Sequence, residues 1–191
     1  MKTNIALIGF MGTGKTAVGQ LLAKKLDRKF IELDSLIEQK AGKSIPDIFQ
    51  QDGEIAFREL EIGVTKEVAK MKNVVIACGG GLVLNKINID RLRENARIVY
   101  LTASPRVILK RASNEAGQRP LLEVDNPILT IMELLKFRKP FYERAADITV
   151  NTSKLSIDFV AYEIIRKLRG ENELSPEQKL LRAIFSEKGS R

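Results

Sequence analysis

Lys15 and Thr16 close the run Gly9-Phe10-Met11-Gly12-Thr13-Gly14-Lys15-Thr16, which matches G-x-x-x-x-G-K-[ST] in full. Glycines in such a run let successive backbone N–H groups turn inward on an anion, and a helix that follows adds the positive end of its dipole. Lys15 is then placed to reach between the β- and γ-phosphates of a nucleotide, and the Thr16 hydroxyl to bind Mg²⁺. Gly12, Thr13, Gly14, Lys15, Thr16 and Ala17 together read as a phosphate cradle. The alternative, an ordinary Gly-rich turn, loses to the flanks: the apolar run Ile5–Ile8 lies before it and a helical stripe of Val18, Leu21, Leu22 and Leu26 after it. The motif names a nucleotide. It says nothing of the acceptor.

Other residues bear on the acceptor. Glu32 and Asp34 follow the short apolar pair Phe30-Ile31. Carboxylates at the C-terminal end of a strand stand where open α/β sheets bind ligands. Either could hold Mg²⁺ through water or take a proton from a hydroxyl, and either could equally be a helix cap or first-turn acid. Arg58 lies within Phe57-Arg58-Glu59-Leu60-Glu61, and Arg138 shortly before Pro140 and Tyr142. A guanidinium fork grips a carboxylate through two bonds and keeps its charge when buried. Gly79-Gly80-Gly81 follows the run Val74–Cys78. Three glycines are costly to order, so close approach of backbone to a ligand is one reason for them and a tight turn the other.

The elements that must position these residues alternate. Strands are expected at Ile5–Ile8, Phe30-Ile31, Val74–Cys78, Arg97–Leu101 and Ile148–Val150, each a short apolar run. Helices are expected from Lys15 to Leu26, Leu33 to Ala41 with a stop at Gly42, from the cap Ser44 onward, and from Ile55 to Met71 beyond an interruption at Gly53. Further helices follow Ser104-Pro105 and Asn126-Pro127, and one spans Ile157 to Leu168. That alternation predicts an α/β fold, a three-layer α/β/α sandwich on a five-stranded parallel sheet, and with the phosphate cradle it resembles the P-loop NTPases of the nucleoside monophosphate kinase type. Residues 113–125 lapse into polar sequence and read as a lid. Residues 1–169 form the expected kinase domain, with 33–61 as its acceptor-binding segment. Residues 170–191 form a C-terminal extension whose capped start at Ser175 and stripe of Leu180, Leu181, Ile184 and Phe185 predict a helix.

The totals narrow the classes. The 191 residues carry 32 Lys and Arg against 24 Asp and Glu, a net charge of +8, with one cysteine and no histidine. Any general base must therefore be a carboxylate, a lysine or the like, and metal sites built on histidine are excluded. Cys78 alone supports no intrachain disulfide and fits a reducing compartment. A basic balance can mean nucleic acid or small anionic ligands, but the cations are scattered and unaccompanied by stacking aromatics, so most of them read as solvated helix faces. The expectation is a cytoplasmic monomer acting on a small molecule, with no nucleic-acid or membrane partner.

Taken in order, the P-loop, Phe30-Ile31-Glu32-Leu33-Asp34 with Ile37-Glu38, the Phe-Arg-Glu-Leu-Glu helix, the triple glycine, Arg119-Pro120-Leu121-Leu122 and the run Arg138–Ala145 resemble the shikimate kinases. The resemblance spans nearly all of positions 4 to 169. It implies ATP and Mg²⁺ as cofactors and shikimate as the acceptor of a phosphoryl on its 3-hydroxyl, a step toward chorismate and the aromatic amino acids. It implies that Asp34 binds that hydroxyl and serves as its base, and that Arg58 and Arg138 clamp the shikimate carboxylate with backbone help from Gly79, Gly80 and Gly81. It implies that Arg119, carried on the lid, neutralises charge on the moving phosphoryl, that Arg111 lies against the adenine, and that Thr16 and Glu32 hold the metal. Glu32 stands where the family has aspartate, Asn151-Thr152-Ser153 lacks an expected proline, and Cys78 replaces a small hydroxyl residue. Other readings are a related P-loop kinase of gluconate or a nucleoside monophosphate, and a catalytically silent nucleotide-binding regulator.

Overall fold

The sequence's first apolar run becomes the centre of a sheet because it is greasy on both sides. In the computed structural model, which describes residues 2–114 and 126–170, β1 (Asn4–Ile8) is buried along its whole length. Successive strand side chains point to opposite faces. Ile5 and Leu7 thus enter one core with Val75, Val99 and Leu101, while Ala6 and Ile8 enter another with Ile76, Ile98 and Tyr100.

The five strands β1, β2 (Lys29–Glu32), β3 (Val74–Ala77), β4 (Ala96–Thr102) and β5 (Ile148–Asn151) form one sheet in the order β2-β3-β1-β4-β5. Every pairing is parallel. The register brings the C-terminal ends together: Ala77 pairs with both Leu7 and Glu32, and Thr102 with Asn151. One face is covered by α1 (Lys15–Lys25) and α8 (Ile157–Leu168), whose Leu22 and Ile164 are fully buried. Burying each such side chain contributes roughly 1.5–3 kcal/mol. The other face carries α2 (Leu33–Ala41), α3 (Ile45–Gln51), α4 (Gly53–Val68), α5 (Lys86–Asn95) and α7 (Pro127–Ala145). A smaller core of Phe10, Ala103, Ile108 and Ile131 joins α6 (Pro105–Asn114) to α7 beside the P-loop. The three-layer α/β/α fold is the expected one.

Capping chemistry sets several helix starts. Ser44, Asn126 and Ser156 each accept a hydrogen bond from the backbone N–H three residues on, satisfying a donor that the helix itself cannot. Some boundaries differ from expectation. α4 starts at Gly53 itself, whose φ of 85° makes the sharp turn out of α3. It ends at Val68, because Lys70 and Met71 donate three residues back instead of four, tightening the last turn. α6 runs through Ser113, whose hydroxyl donates to the Leu109 carbonyl at 2.9 Å. Helix α5 was not expected at all. Of its apolar residues only Ile89 and Leu92 reach the core while Ile87 is half exposed, so its stripe is too narrow to stand out. Asn85, capping it through the Ile87 N–H, is the signal that marks its start. The lid segment beyond Asn114 and the extension after Gly170 lie outside the described residues.

Candidate active site

Because all five strands run the same way, everything that follows their C-terminal ends gathers on one edge of the sheet. The loop after β1 is the P-loop, and Gly12 and Gly14 take φ values of 67° and 91°, a region that side chains other than glycine rarely enter. Gly14 thereby turns the chain into α1, and Gly14, Lys15, Thr16 and Ala17 line the cleft at the helix's start. The Lys15 ammonium donates to the Gly9 and Phe10 carbonyls, each at 3.0 Å. Thr13 is buried and donates to the Phe10 carbonyl at 2.7 Å.

Glu32 ends β2 and Asp34 lies in the first turn of α2. The Thr16 hydroxyl donates to Glu32 Oε1 at 2.5 Å, and Ser35 donates to Oε2 at 3.3 Å. The two expected metal ligands are therefore in contact. Burial pushes the Asp34 carboxyl above its ordinary value of 3.8, Lys15 pulls it down, and Glu32 and Glu38 add to the rise. The two acids have separate surroundings, one bonded to Thr16 and the other facing the triple glycine.

Each of the three glycines after β3 faces one side chain. A Cβ on Gly79 would stand 2.6 Å from Asp34 Oδ1, closer than such atoms approach, so any side chain there would push the Asp34 carboxylate aside. A Cβ on Gly80 would lie 3.8 Å from Arg138 Nη1, and one on Gly81 3.1 Å from Arg58 Nη1. The turn therefore sets a carboxylate and two guanidinium groups around a strip of backbone. Arg138 Nη1 donates weakly to the Gly80 carbonyl at 3.4 Å, its Cζ stands 5.5 Å from the Phe10 ring centroid, and its buried Nε has no hydrogen-bond partner among the described residues. Such a donor is free to take an acceptor from a ligand in the cleft.

Arg58 is held from beneath. Its Nη1 lies 3.3 Å from Oε2 of Glu61, which is 2% exposed, and its Nη2 3.0 Å from Glu54 Oε1. Asn88 donates to the same Glu61 oxygen at 3.2 Å. Burial raises the Glu61 pKa and Arg58 opposes the rise. Arg111 ties the P-loop to the loop after β5, donating to the Gly12 carbonyl at 3.2 Å and to Thr152 at 3.0 Å and 2.8 Å. Thr152 in turn donates to the Thr13 carbonyl at 3.1 Å. Arg119 lies outside the described residues. Cys78 is buried and its thiol pushed up by burial, which keeps it an inert core residue.

Sequence reasoning missed Glu61, Asn88 and Thr152. Glu61, three residues past Arg58 on one helix, was the findable one, since that spacing places the two side chains together. The others act across the fold and leave no local mark.

Lys15, Thr16, Glu32, Asp34, Arg58, Gly80, Gly81 and Arg138 all line a single cleft of about 1010 Å³. The cleft brings the cations Lys15, Arg58 and Arg138 around two half-buried acids, Glu32 and Asp34. Among the described residues no group of three or more His, Cys, Asp or Glu could hold a metal. The hard oxygens of Thr16 and Glu32 suit Mg²⁺, which takes few protein ligands and draws the rest from phosphates and water. The residues present fit the ion.

The shikimate kinase family model matches residues 11–169. A shikimate kinase of Caldanaerobacter subterraneus subsp. tengcongensis is 49% identical over 170 residues, covering 87% of this chain and 98% of the relative. A shikimate kinase of Nitrosococcus oceani is 38% identical over 187 residues, 98% of each chain, so that match extends past Gly170. Among solved structures, shikimate kinase from Acinetobacter baumannii in complex with shikimate superposes with a TM-score of 0.83 at 36% identity, covering 91% of this chain and 97% of that one.

Proposed function

The chain belongs to the shikimate kinase family, and from that premise we propose that it transfers the γ-phosphoryl of ATP to the 3-hydroxyl of shikimate, within aromatic amino acid biosynthesis. The observation that carries the reading is the cleft itself, where Arg58, Arg138 and Asp34 face the three glycines one by one, opposite the phosphate cradle. A compact polyhydroxy carboxylate presents one anionic end and one reactive hydroxyl, which is what two arginines and a lone acid can orient. The A. baumannii relative was solved with shikimate bound.

In this reading the shikimate carboxylate is gripped by Arg58 and Arg138, with backbone contacts from Gly79, Gly80 and Gly81. The 3-hydroxyl sits at Asp34. Its oxygen forms the new bond to the γ-phosphorus, the bond from that phosphorus to the β–γ bridging oxygen breaks, and ADP departs with the electron pair. Asp34 takes the hydroxyl proton, a role that the upward push of burial favours by making the carboxylate a better base. The P-loop amides from Gly12 to Ala17 hold the phosphates and Lys15 offsets the charge on the β- and γ-oxygens. Thr16 and Glu32 would hold Mg²⁺, which neutralises phosphate charge when bound. Arg119 would complete the neutralisation, and Arg111 would lie beside the adenine. Catalysis here is mostly positioning and charge compensation, with water kept from competing as acceptor. No helix among the described residues is long and apolar enough to cross a membrane. We place the protein in the cytoplasm as a monomer.

An ADP-release assay with shikimate, gluconate and AMP as acceptors tests the reading. Turnover confined to shikimate, with its 3-phosphate identified by mass spectrometry, is the expected result. Phosphorylation of gluconate or AMP with shikimate inert would overturn it.

A further inference from the structure

The carbonyls of the triple-glycine turn are all spoken for. Gly79 O accepts from the Leu82 N–H at 3.2 Å and Gly81 O from the Leu84 N–H at 3.0 Å, both inside the short 3₁₀ turn Leu82–Leu84 and its approach. Gly80 O has no such local partner. It accepts instead from the Tyr142 hydroxyl at 2.6 Å, across 62 positions of sequence. Tyr142 is 0% exposed, and its ring stacks on that of Tyr100 of β4, 4.9 Å between centroids at 11°. It lies one helical turn after Arg138 on α7, so both side chains share a face, and Arg138 Nη1 is the second donor to the same carbonyl. The hydroxyl is therefore the stronger of two bonds to one oxygen, held by a ring that cannot turn away.

A peptide unit is planar, with its N–H opposed to its C=O. Fixing Gly80 O thus fixes the direction of the Gly81 N–H, in a turn whose residues have more backbone freedom than any others. Both glycines line the cleft. We infer that Tyr142 is a positioning residue for the acceptor: by holding the Gly80 carbonyl it orients the Gly80–Gly81 peptide and seats the Arg138 guanidinium against the same oxygen, and so sets the affinity for the carboxylate end of the substrate. The inference rests on the shikimate reading and extends it to a residue that touches neither substrate nor nucleotide.

Tyr142→Phe removes the hydroxyl and keeps the ring. With the wild-type chain as reference, KM for shikimate should rise about 10-fold, the scale of one positioning hydrogen bond. The KM for ATP and kcat should stay within about twofold, because the phosphate cradle is untouched. Tyr100→Phe keeps the stack without touching Gly80 and should leave all three constants unchanged. An unaltered shikimate KM in a Tyr142→Phe chain that melts like the wild type overturns the inference. So does a fall in kcat with both KM values rising together, which marks a merely structural role. Should Tyr142→Phe not fold, the wild-type sequence made with fluorotyrosine serves. A fluorinated phenol is a stronger donor, so the shikimate KM should change by at least about twofold while that for ATP does not, and no change overturns the inference. A wild-type chain inert toward shikimate refutes the functional reading instead, and the two failures are told apart.

Discussion

Asp34 sits between opposing influences: burial raises its pKa, Lys15 lowers it, and burial prevails. A raised carboxyl pKa in the folded state means that the neutral form is favoured there. The stabilising contribution is then complete below the ordinary value of 3.8 and is lost as pH rises through the folded value. Asp34→Asn, always neutral, should therefore melt above the wild type at pH 7, and that advantage should shrink as pH falls. Thermal melts across pH would check it. With Asp34 as the proposed base, the acid limb of kcat/KM should likewise fall at a pH above that of an ordinary aspartate, because protonation disables it. In the proposed reading Arg58 and Arg138 bear on the acceptor. Arg58→Ala or Arg138→Ala should raise the shikimate KM by about 10- to 150-fold, the range for hydrogen bonds to a charged group, with the ATP KM nearly unchanged in steady-state assays.

At the scale of elements, the site is a meeting of α2, α4 and α7 over the loop after β3. The first turn of α2 can come so close because Gly79 has no side chain. Gly79→Ala would put a Cβ 2.6 Å from Asp34 Oδ1 and displace the proposed base. A displacement of about 1 Å can cost about 10²-fold in rate, so kcat should fall by that order while the melting temperature moves little. Glu61 fastens α4 to α5 through Asn88 while holding Arg58. Glu61→Ala leaves Asn88 and Arg58 without that acceptor and should destabilise the fold by about 1–3 kcal/mol in urea denaturation, with a rise in shikimate KM. Much of the element layout was legible beforehand: α2 from Leu33 to Ala41 stops at the left-handed Gly42, and α8 from Ile157 to Leu168 starts behind Ser156. Helix α5 was not, since most of its residues are polar and its two core contacts depend on neighbours from α4 and β4.

For the whole molecule, parallel register is what makes one sequence hold two anions side by side. The P-loop was readable because its chemistry is written in consecutive residues. Asp34, Arg58 and Arg138 could be named singly, but their pairing with Gly79, Gly81 and Gly80 depends on β3 lying between β1 and β2, which no local spacing states. The Arg111–Gly12–Thr152 link is of the same kind, joining loops 139 positions apart through Thr13 and Thr152. Because the cleft is bounded by segments from both halves of the chain, nucleotide binding should stabilise the entire fold. With Mg²⁺ present, ADP at 100 times its Kd should add about 2.7 kcal/mol, read as a concentration-dependent melting temperature. Thr16→Ala should weaken the effect of Mg²⁺ on that shift.

One kinetic comparison bears most directly on the claim that the Asp34 carboxylate relieves the hydroxyl of its proton between two anion-holding cradles. In rapid-quench single turnovers, Asp34→Asn should slow phosphoryl transfer by about 10²- to 10⁴-fold, the range for general-base catalysis, while calorimetry gives a shikimate Kd within a few-fold of the wild type. A folded Asp34→Asn chain that transfers phosphoryl at close to the wild-type rate would contradict the account.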